Sequence, residues 1–253
     1  MPALGSRRSR SAVKMNLLIS IFNTILYQPL FNGLVLLYVF LPGRDFGIAV
    51  IVLTVLLKLI FYPLGSQAFR SQKALSSLQP KIAEVQRKHK DDKEKQVRAT
   101  MELYQKEKIN PFSGCLPLLI QLPILIALYQ VFWKGLQPEQ MSFLYSFVPH
   151  PGTIDPSFLG IINLSKPNMF LAIFAGISQF FQSKMIMPKT QTKAKEKTAQ
   201  MSEMIQKQML YFFPVFTVFI LWGLPSAIGL YWMVTTIFSI IQQYLVFKKI
   251  PTV

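Results

Sequence analysis

Phe46-Gly-Ile-Ala-Val-Ile-Val-Leu-Thr-Val-Leu-Leu-Lys-Leu-Ile-Phe-Tyr-Pro-Leu64 is a run of 19 almost wholly apolar residues with one ammonium in it, Lys58. About 20 apolar residues cross roughly 30 Å of hydrocarbon, so this stretch reads as a membrane span. Working outward, 114–133, 168–187, 209–223 and 226–247 read the same way, the last two joined by the turn signal Gly223-Leu-Pro-Ser226. The fold class that follows is an all-α membrane protein with a five-span helical core, organised as a single domain over 1–253.

Composition agrees. Of the 253 residues 51% are apolar, mean hydropathy is +0.36, and 15% are charged. The charges are lopsided, 27 Lys+Arg against 11 Asp+Glu, for a net +16. A disordered chain lacks this much apolar mass, and a soluble nucleic-acid binder of this basicity would be far more polar. One cysteine, Cys115, excludes a disulfide framework and a thiolate metal cluster.

The segment 15–41 has two readings. It is long enough to be an extra span, but Asn16, Asn23, Gln28, Pro29, Asn32 and Gly33 interrupt it, which suits an amphipathic helix in the interface better. Orientation comes from the loops. The segment 65–112 holds 11 Lys and Arg, 188–207 holds five, and the alternate loop 134–167 only Lys134 and Lys166. That places 65–112, 188–207 and the C-terminus in the cytoplasm. The basic run Arg7, Arg8, Arg10 and Lys14 obeys the same rule only if 15–41 crosses.

The segment 65–112 is too long for a plain connection. Leu75, Leu78, Ile82 and Val85, then Val97, Met101 and Tyr104, recur at helical steps around the turn signal Lys90-Asp-Asp92. The expectation is an antiparallel helical hairpin, with Pro80 kinking or restarting its first arm. It serves either as a docking arm or simply as a solvated charged hairpin against anionic lipid heads. Met185, Met187, Met201, Met204 and Met209 flank the second basic loop. They are adaptable binding surface or ordinary lipid-facing filling.

Lys58 needs a reason, because a charge at mid-bilayer costs on the order of 2.5–3.5 kcal/mol on insertion scales. Snorkelling to the head groups is the plain one. Other helices point elsewhere. Thr54 lies one turn from Lys58, Ser178 and Gln182 are spaced i, i+4, and Trp232, Thr236, Ser239 and Gln243 form one stripe. Facing one another, they would build a wet, positive groove in the inner leaflet that attracts anionic groups. No carboxylate lies within a span, which argues against an intramembrane aspartyl protease or a carboxylate-relay pump. His89 and His150 fall in loops, no phosphate-binding glycine loop exists, and a Lys58–serine dyad stays open as a minor alternative. No enzyme, metal site, cofactor, small-molecule substrate or specific nucleic-acid sequence is expected.

Several motifs then fall in order. Val52-Leu-Thr-Val-Leu-Leu-Lys-Leu-Ile-Phe-Tyr-Pro63, Leu78-Gln-Pro-Lys-Ile82 and Asn110-Pro-Phe-Ser-Gly-Cys-Leu-Pro-Leu-Leu-Ile-Gln-Leu-Pro-Ile124 resemble the YidC membrane-insertase family. So do Phe213-Pro214, Leu221-Trp222, Pro225-Ser-Ala-Ile-Gly-Leu-Tyr-Trp232, Ile240-Ile-Gln-Gln243 and, for the family's entry helix, Tyr27-Gln-Pro-Leu-Phe31. The resemblance implies a groove open to cytoplasm and lipid and closed to the outside. Its usual arginine is here Lys58, with Thr54, Trp232 and Gln182 as groove residues. Thr236 and Ser239 complete the expected substrate-binding set. The implied function is insertion and folding of nascent membrane proteins in a bacterial inner membrane. Nascent chains and the lipid bilayer are the implied partners; whether the Sec translocon and the ribosome join them stays open. The alternatives are a small transporter or channel, or a scaffold for membrane complexes.

Overall fold

The computed structural model describes residues 15–110, 116–187, 204 and 207–249. Arg7, Arg8, Arg10, Lys14, Cys115, Lys189, Lys193, Lys195, Lys197 and Met201 lie outside the described residues. The chain divides into two compact units, Met1–Leu53 with Ile120–Lys166 and Thr54–Leu119 with Pro167–Val253.

In the first unit α1 (Met15–Phe40) carries a π-helical turn over Asn23–Tyr27. Pro29 accounts for it. Proline has no N–H to continue the ladder, and the Gln28 amide reaches back five residues to the Asn23 carbonyl. Before that turn Leu17, Leu18, Ile19 and Ile21 are exposed; from it onward Tyr27, Leu30, Phe31, Leu34, Val35 and Tyr38 are buried. They share a core with Phe46, Ala49, Val50 and Leu53 of α2 (Phe46–Ile60) and Ile124, Ala127, Leu128, Val131 and Phe132 of α5 (Leu116–Lys134).

The polar residues that interrupt α1 have a use. Buried Asn32 donates from Nδ2 to the Gln28 and Phe143 carbonyls at 2.8 and 2.9 Å, and its Oδ1 accepts from the Tyr145 amide at 2.7 Å. Tyr27 donates to Gln140 at 2.7 Å and Gln28 to the Phe143 carbonyl at 3.1 Å. An amide that would be costly in lipid is thus satisfied by the connection after α5. That connection also holds a two-stranded antiparallel hairpin, β1 (Ser157–Phe158) and β2 (Ile162–Asn163), with Ser157 opposite Asn163.

In the second unit α2 ends at Ile60, short of the expected Leu64, and α3 (Tyr62–Lys88) leaves at 67° to it. Phe61 sits between helical wells at φ −88°, ψ 8°, and Pro63 in the first turn of α3 cannot donate back to α2. The expected restart at Pro80 does not occur: α3 runs through it. A single missing hydrogen bond is tolerated where Leu78 and Ile82 are buried on either side. α4 (Lys93–Lys106) returns alongside, with Gln96 donating to the Gln86 carbonyl and Lys81 paired to Glu107 at 2.5 Å. The expected seam on α4 is displaced. Val97 and Met101 are exposed, while Tyr104, the third residue of that seam, is half-buried together with Gln96, Thr100 and Leu103. Side-chain packing, including that Gln96 bond, rotates the helix away from the apolar pattern.

α6 (Met169–Ile186), α7 (Phe213–Trp222) and α8 (Ser226–Lys248) make the rest. A second π-turn, Gln208–Phe212, leads into α7, again two residues before a proline, Pro214. Ala172, Ala175 and Gly176 let α6 approach closely; a Cβ on Gly176 would overlap Val218 and come within 3.1 Å of the Pro214 carbonyl. Phe170, Phe174, Ile177 and Phe181 form an exposed stripe at i, i+4, i+7, i+11, an apolar face suited to lipid. By length and composition Met15–Phe40, Met169–Ile186 and Ser226–Lys248 can each cross a membrane, and Phe46–Ile60 with Tyr62–Lys88 passes as a bent pair. Leu119–Lys134 and Leu210–Trp222 are shorter apolar helices.

Candidate functional site

All six expected site residues lie in the second unit, on α2, α6 and α8. Lys58 is only two residues from the end of α2, because the helix breaks at Phe61. Its ammonium nevertheless stays among helices. Nζ donates to Ser239 Oγ at 2.9 Å and lies 5.8 Å from the centroid of the Phe238 ring. Ser239 is nine residues before the end of α8, about 13 Å at 1.5 Å per residue.

The hydroxyls of α8 are oriented by their own helix. Ser239 donates to the Thr235 carbonyl and Thr236 to the Trp232 carbonyl, each at 2.8 Å. That leaves their oxygens as acceptors, which is what an ammonium requires. It also bears on the dyad reading. A lysine–serine pair at 2.9 Å could activate a nucleophile if the lysine were a base. With the ammonium donating, Ser239 has no group to take its proton.

Thr54, one turn before Lys58, is buried. Thr236 and Ser239 are buried, and Trp232, Gln182 and Lys58 half-buried. Trp232 reaches α6, but its indole N–H meets Gln179 Oε1 at 3.0 Å rather than Gln182. Gln182 stands one turn further along the same helix. Ser178 closes on its own Phe174 carbonyl. Gln179 is thus a residue the i, i+4 pairing passed over. A tryptophan N–H drawn out of water needs an acceptor, and the rotation of α6 makes Gln179 the glutamine within reach.

The glutamine pair at the end of the stripe divides its roles. Gln242 donates to the Tyr62 carbonyl at 2.8 Å and to Ser66 Oγ at 3.0 Å, clamping α8 to the first turn of α3. Gly65 makes room, since a Cβ there would meet Gln242 Nε2 at 3.0 Å. Gln243 is 0% exposed, and both its amide atoms lack a hydrogen-bond partner among the described residues. Lys184, which also falls inside the expected 168–187 span, is exposed in the last turn of α6. Lys58 is likewise in the last turn of its helix, but it is half-buried with its ammonium on Ser239, whereas the exposure of Lys184 suits a snorkelling lysine.

The charge pattern is one-sided. α1, α2, α5, α6, α7 and α8 contain no Asp or Glu. Among the described residues the ion pairs are Lys81–Glu107, Lys88–Glu84, Lys95–Asp92 and Arg98–Glu102, all on or beside α3 and α4. Lys58 therefore has a neutral acceptor and an aromatic face but no described counter-ion. One of its three N–H donors is engaged, which leaves it able to receive an anion. No group of three or more His, Cys, Asp or Glu suited to a metal exists among the described residues.

Comparison with known proteins gives a consistent result. The model of the family described as 60Kd inner membrane protein matches residues 36–252. The membrane protein insertase YidC of Magnetococcus marinus is 36% identical over 207 residues, which are 81% of this chain and 33% of that protein. Its namesake in Pelagibacter ubique is 35% identical over 236 residues, 90% of this chain and 40% of that one. This chain therefore spans only a third to two fifths of those relatives. The YidC of Fusobacterium nucleatum subsp. nucleatum is covered to 87% of its length, at 35% identity over 205 residues. A solved structure described as an active YidC insertase crystal structure with the first transmembrane domain resolved is similar at TM-score 0.57 and 28% identity, over 86% of this chain and 46% of that one.

Proposed function

This chain belongs to the 60Kd inner membrane protein family, and on that footing we propose that it is an insertase for nascent membrane proteins in a bacterial inner membrane. The observation that carries the reading is the Lys58 ammonium, held to Ser239 with no described carboxylate beside it.

In this reading the five spans expected at 46–64, 114–133, 168–187, 209–223 and 226–247 cross the bilayer as one insertase domain, the first of them ending at the Phe61 bend. The arm of α3 and α4 is a cytoplasmic hairpin, and the C-terminus is cytoplasmic. α1 lies in the opposite interface, which suits the bonding of Tyr27, Gln28 and Asn32 to residues 140–145 of the alternate loop. Lys58, Thr54, Gln182, Trp232, Thr236 and Ser239 line an inner-leaflet groove open to cytoplasm and lipid.

A client's short outer tail enters that groove from the cytoplasm. An acidic residue in hydrocarbon costs on the order of 2.5–3.5 kcal/mol at the helix centre. An ammonium about 5 Å away, at an effective dielectric near 20, returns about 3 kcal/mol. One lysine thus offsets one carboxylate, and the wet pocket shortens the apolar path. The client's apolar helix leaves sideways into lipid, drawn by burial of its surface. Trp232 and Gln179 offer the entering chain an aromatic face and an amide. The step breaks no bond and takes no cofactor.

The deciding experiment is site-specific crosslinking from position 232 to a ribosome-bound nascent chain. Adducts that need a hydrophobic segment in the client support insertion. Ion flux through proteoliposomes with no adducts at all would instead favour a channel.

A further inference from the structure

We propose that the hairpin tip Leu159-Gly160-Ile161 is a membrane-interface anchor, inserted among the lipid head groups and first acyl carbons at the Asp45 end of α2. This goes beyond the groove and does not depend on it.

The hairpin is pinned to the beginning of a span. Asp45 Oδ1 accepts from the Ile48 amide, capping α2, while Asp45 Oδ2 accepts from the Leu159 amide at 2.5 Å. A Cβ on Gly47 would overlap the Phe158 ring, so that ring lies directly on the first turn of α2. The Tyr38 hydroxyl, near the end of α1, accepts a hydrogen bond from the Asp155 amide at 3.1 Å. Leu164, just after β2, is wholly buried. The hairpin base is therefore fixed at the level where an apolar helix begins, which is the depth of the bilayer interface.

From that base the tip turns apolar side chains outward. Ile161 is 83% exposed and Leu159 60%. Phe147 of the same connection and Phe40 at the end of α1 are also exposed. Between Lys134 and Lys166 the connection has no lysine or arginine to hold it off an apolar surface. The turn chemistry adds a second argument. Leu159 and Gly160 both have positive φ, 53° and 66°. Such a tight turn favours asparagine, aspartate or glycine at its first centre, and a leucine there is strained. The strain is accepted at a position whose side chain touches water in the isolated fold. A lipid contact gives that leucine a role. Exposed apolar tips next to a span are how interfacial segments bind membranes.

The test uses the full chain in liposomes. Cys115→Ser removes the single native cysteine, and Ile161→Cys carries an environment-sensitive fluorophore. Thr153→Cys, in the preceding turn of the same connection, is the aqueous control. Expected is strong quenching at 161 by lipids bearing a nitroxide near the head group and at least threefold weaker quenching by aqueous iodide than at 153. Equal iodide access at both positions would overturn the proposal, and so would a tip that becomes shielded only when cell extract supplies a protein partner. Leu159→Asn separates fold from contact. It relieves the turn, so melting in detergent should hold or rise, while lipid quenching at 161 should drop at least twofold. Unchanged lipid quenching in that variant also counts against the anchor.

Discussion

At the scale of single residues, the site is a set of polar groups with unequal satisfaction. Lys58 is held by one hydroxyl, so Lys58→Arg should retain most insertion of an acidic-tailed client, whereas Lys58→Ala should reduce it about tenfold or more. Pulse-labelling with protease access to the client tail measures both. Ser239→Ala should fall between them, since the ammonium survives but loses its 2.9 Å tether. Gln243 is the opposite case. Its amide is buried and finds no described partner, which costs roughly 1–3 kcal/mol. Gln243→Met keeps the volume without the polar atoms. Melting in detergent should rise by a few degrees; a fall would mean that the amide bonds something essential. Lys58, Ser239 and Trp232 are legible in the sequence because a charge, hydroxyls and an indole stand out in an apolar run. Gln179 is not, because which amide of α6 an indole meets depends on helix rotation, and spacing within one helix does not encode that.

At the scale of elements, helix ends and close approaches decide. Both π-turns precede a proline by two residues, at Pro29 and Pro214, where the missing N–H displaces the ladder by one position. Proline identity is legible in the sequence; the choice between a kink, a π-turn and an unbroken helix at Pro80 is set by packing. The same holds for α4. Its apolar residues Val97 and Met101 suggest the seam, but cross-helix polar bonds place Gln96 there instead. Two glycines give a paired prediction. Gly176→Ala should destabilise by about 1–3 kcal/mol because Val218 and the Pro214 carbonyl block the methyl group. Gly229→Ala meets only ordinary contacts, the nearest 3.6 Å from Leu171, and should hold or gain stability through better helix propensity. Chemical denaturation in one detergent compares them. The cap of α4 gives a pH prediction. The Lys95 amide bonded to Asp92, then the Lys95 side chain, hold the Asp92 carboxyl below its usual value. A lowered folded-state value stabilises above the ordinary carboxylate range and is lost as pH falls through it. The protection factors of the Lys95 and Gln96 amides, with the intrinsic pH dependence of exchange divided out, should therefore fall on acidification below about pH 4, and Asp92→Asn, which still caps, should flatten that fall.

At the scale of the whole molecule, the charge distribution is the organising fact. The chain carries a net +16, yet its apolar helices hold no carboxylate, and its basic residues gather on 65–112 and 188–207. That asymmetry makes the membrane legible in the residues alone and carries the proposed orientation across it. The bend is not legible in the same way, because 46–64 reads as one run while Phe61 divides it at 67°. The bend brings the Lys58 end of α2 and the first turn of α3 together against α8, where Ser239 and Gln242 bond to them one turn apart. In the proposed function Lys58 is the one charged group among the six groove residues, and Coulomb's law limits what that charge can do for a client tail. An attraction of about 3 kcal/mol matches the cost of one carboxylate, not of three. A series of otherwise identical clients with zero, one, two and three aspartates in the outer tail should separate the terms. Lys58→Ala should leave the uncharged client within about twofold of the parent and depress the one-aspartate client most. The three-aspartate client should insert poorly in both, because one ammonium cannot carry it and another force must. A uniform loss across the series would instead mean that Lys58 shapes the groove through packing, and that its charge is incidental to insertion.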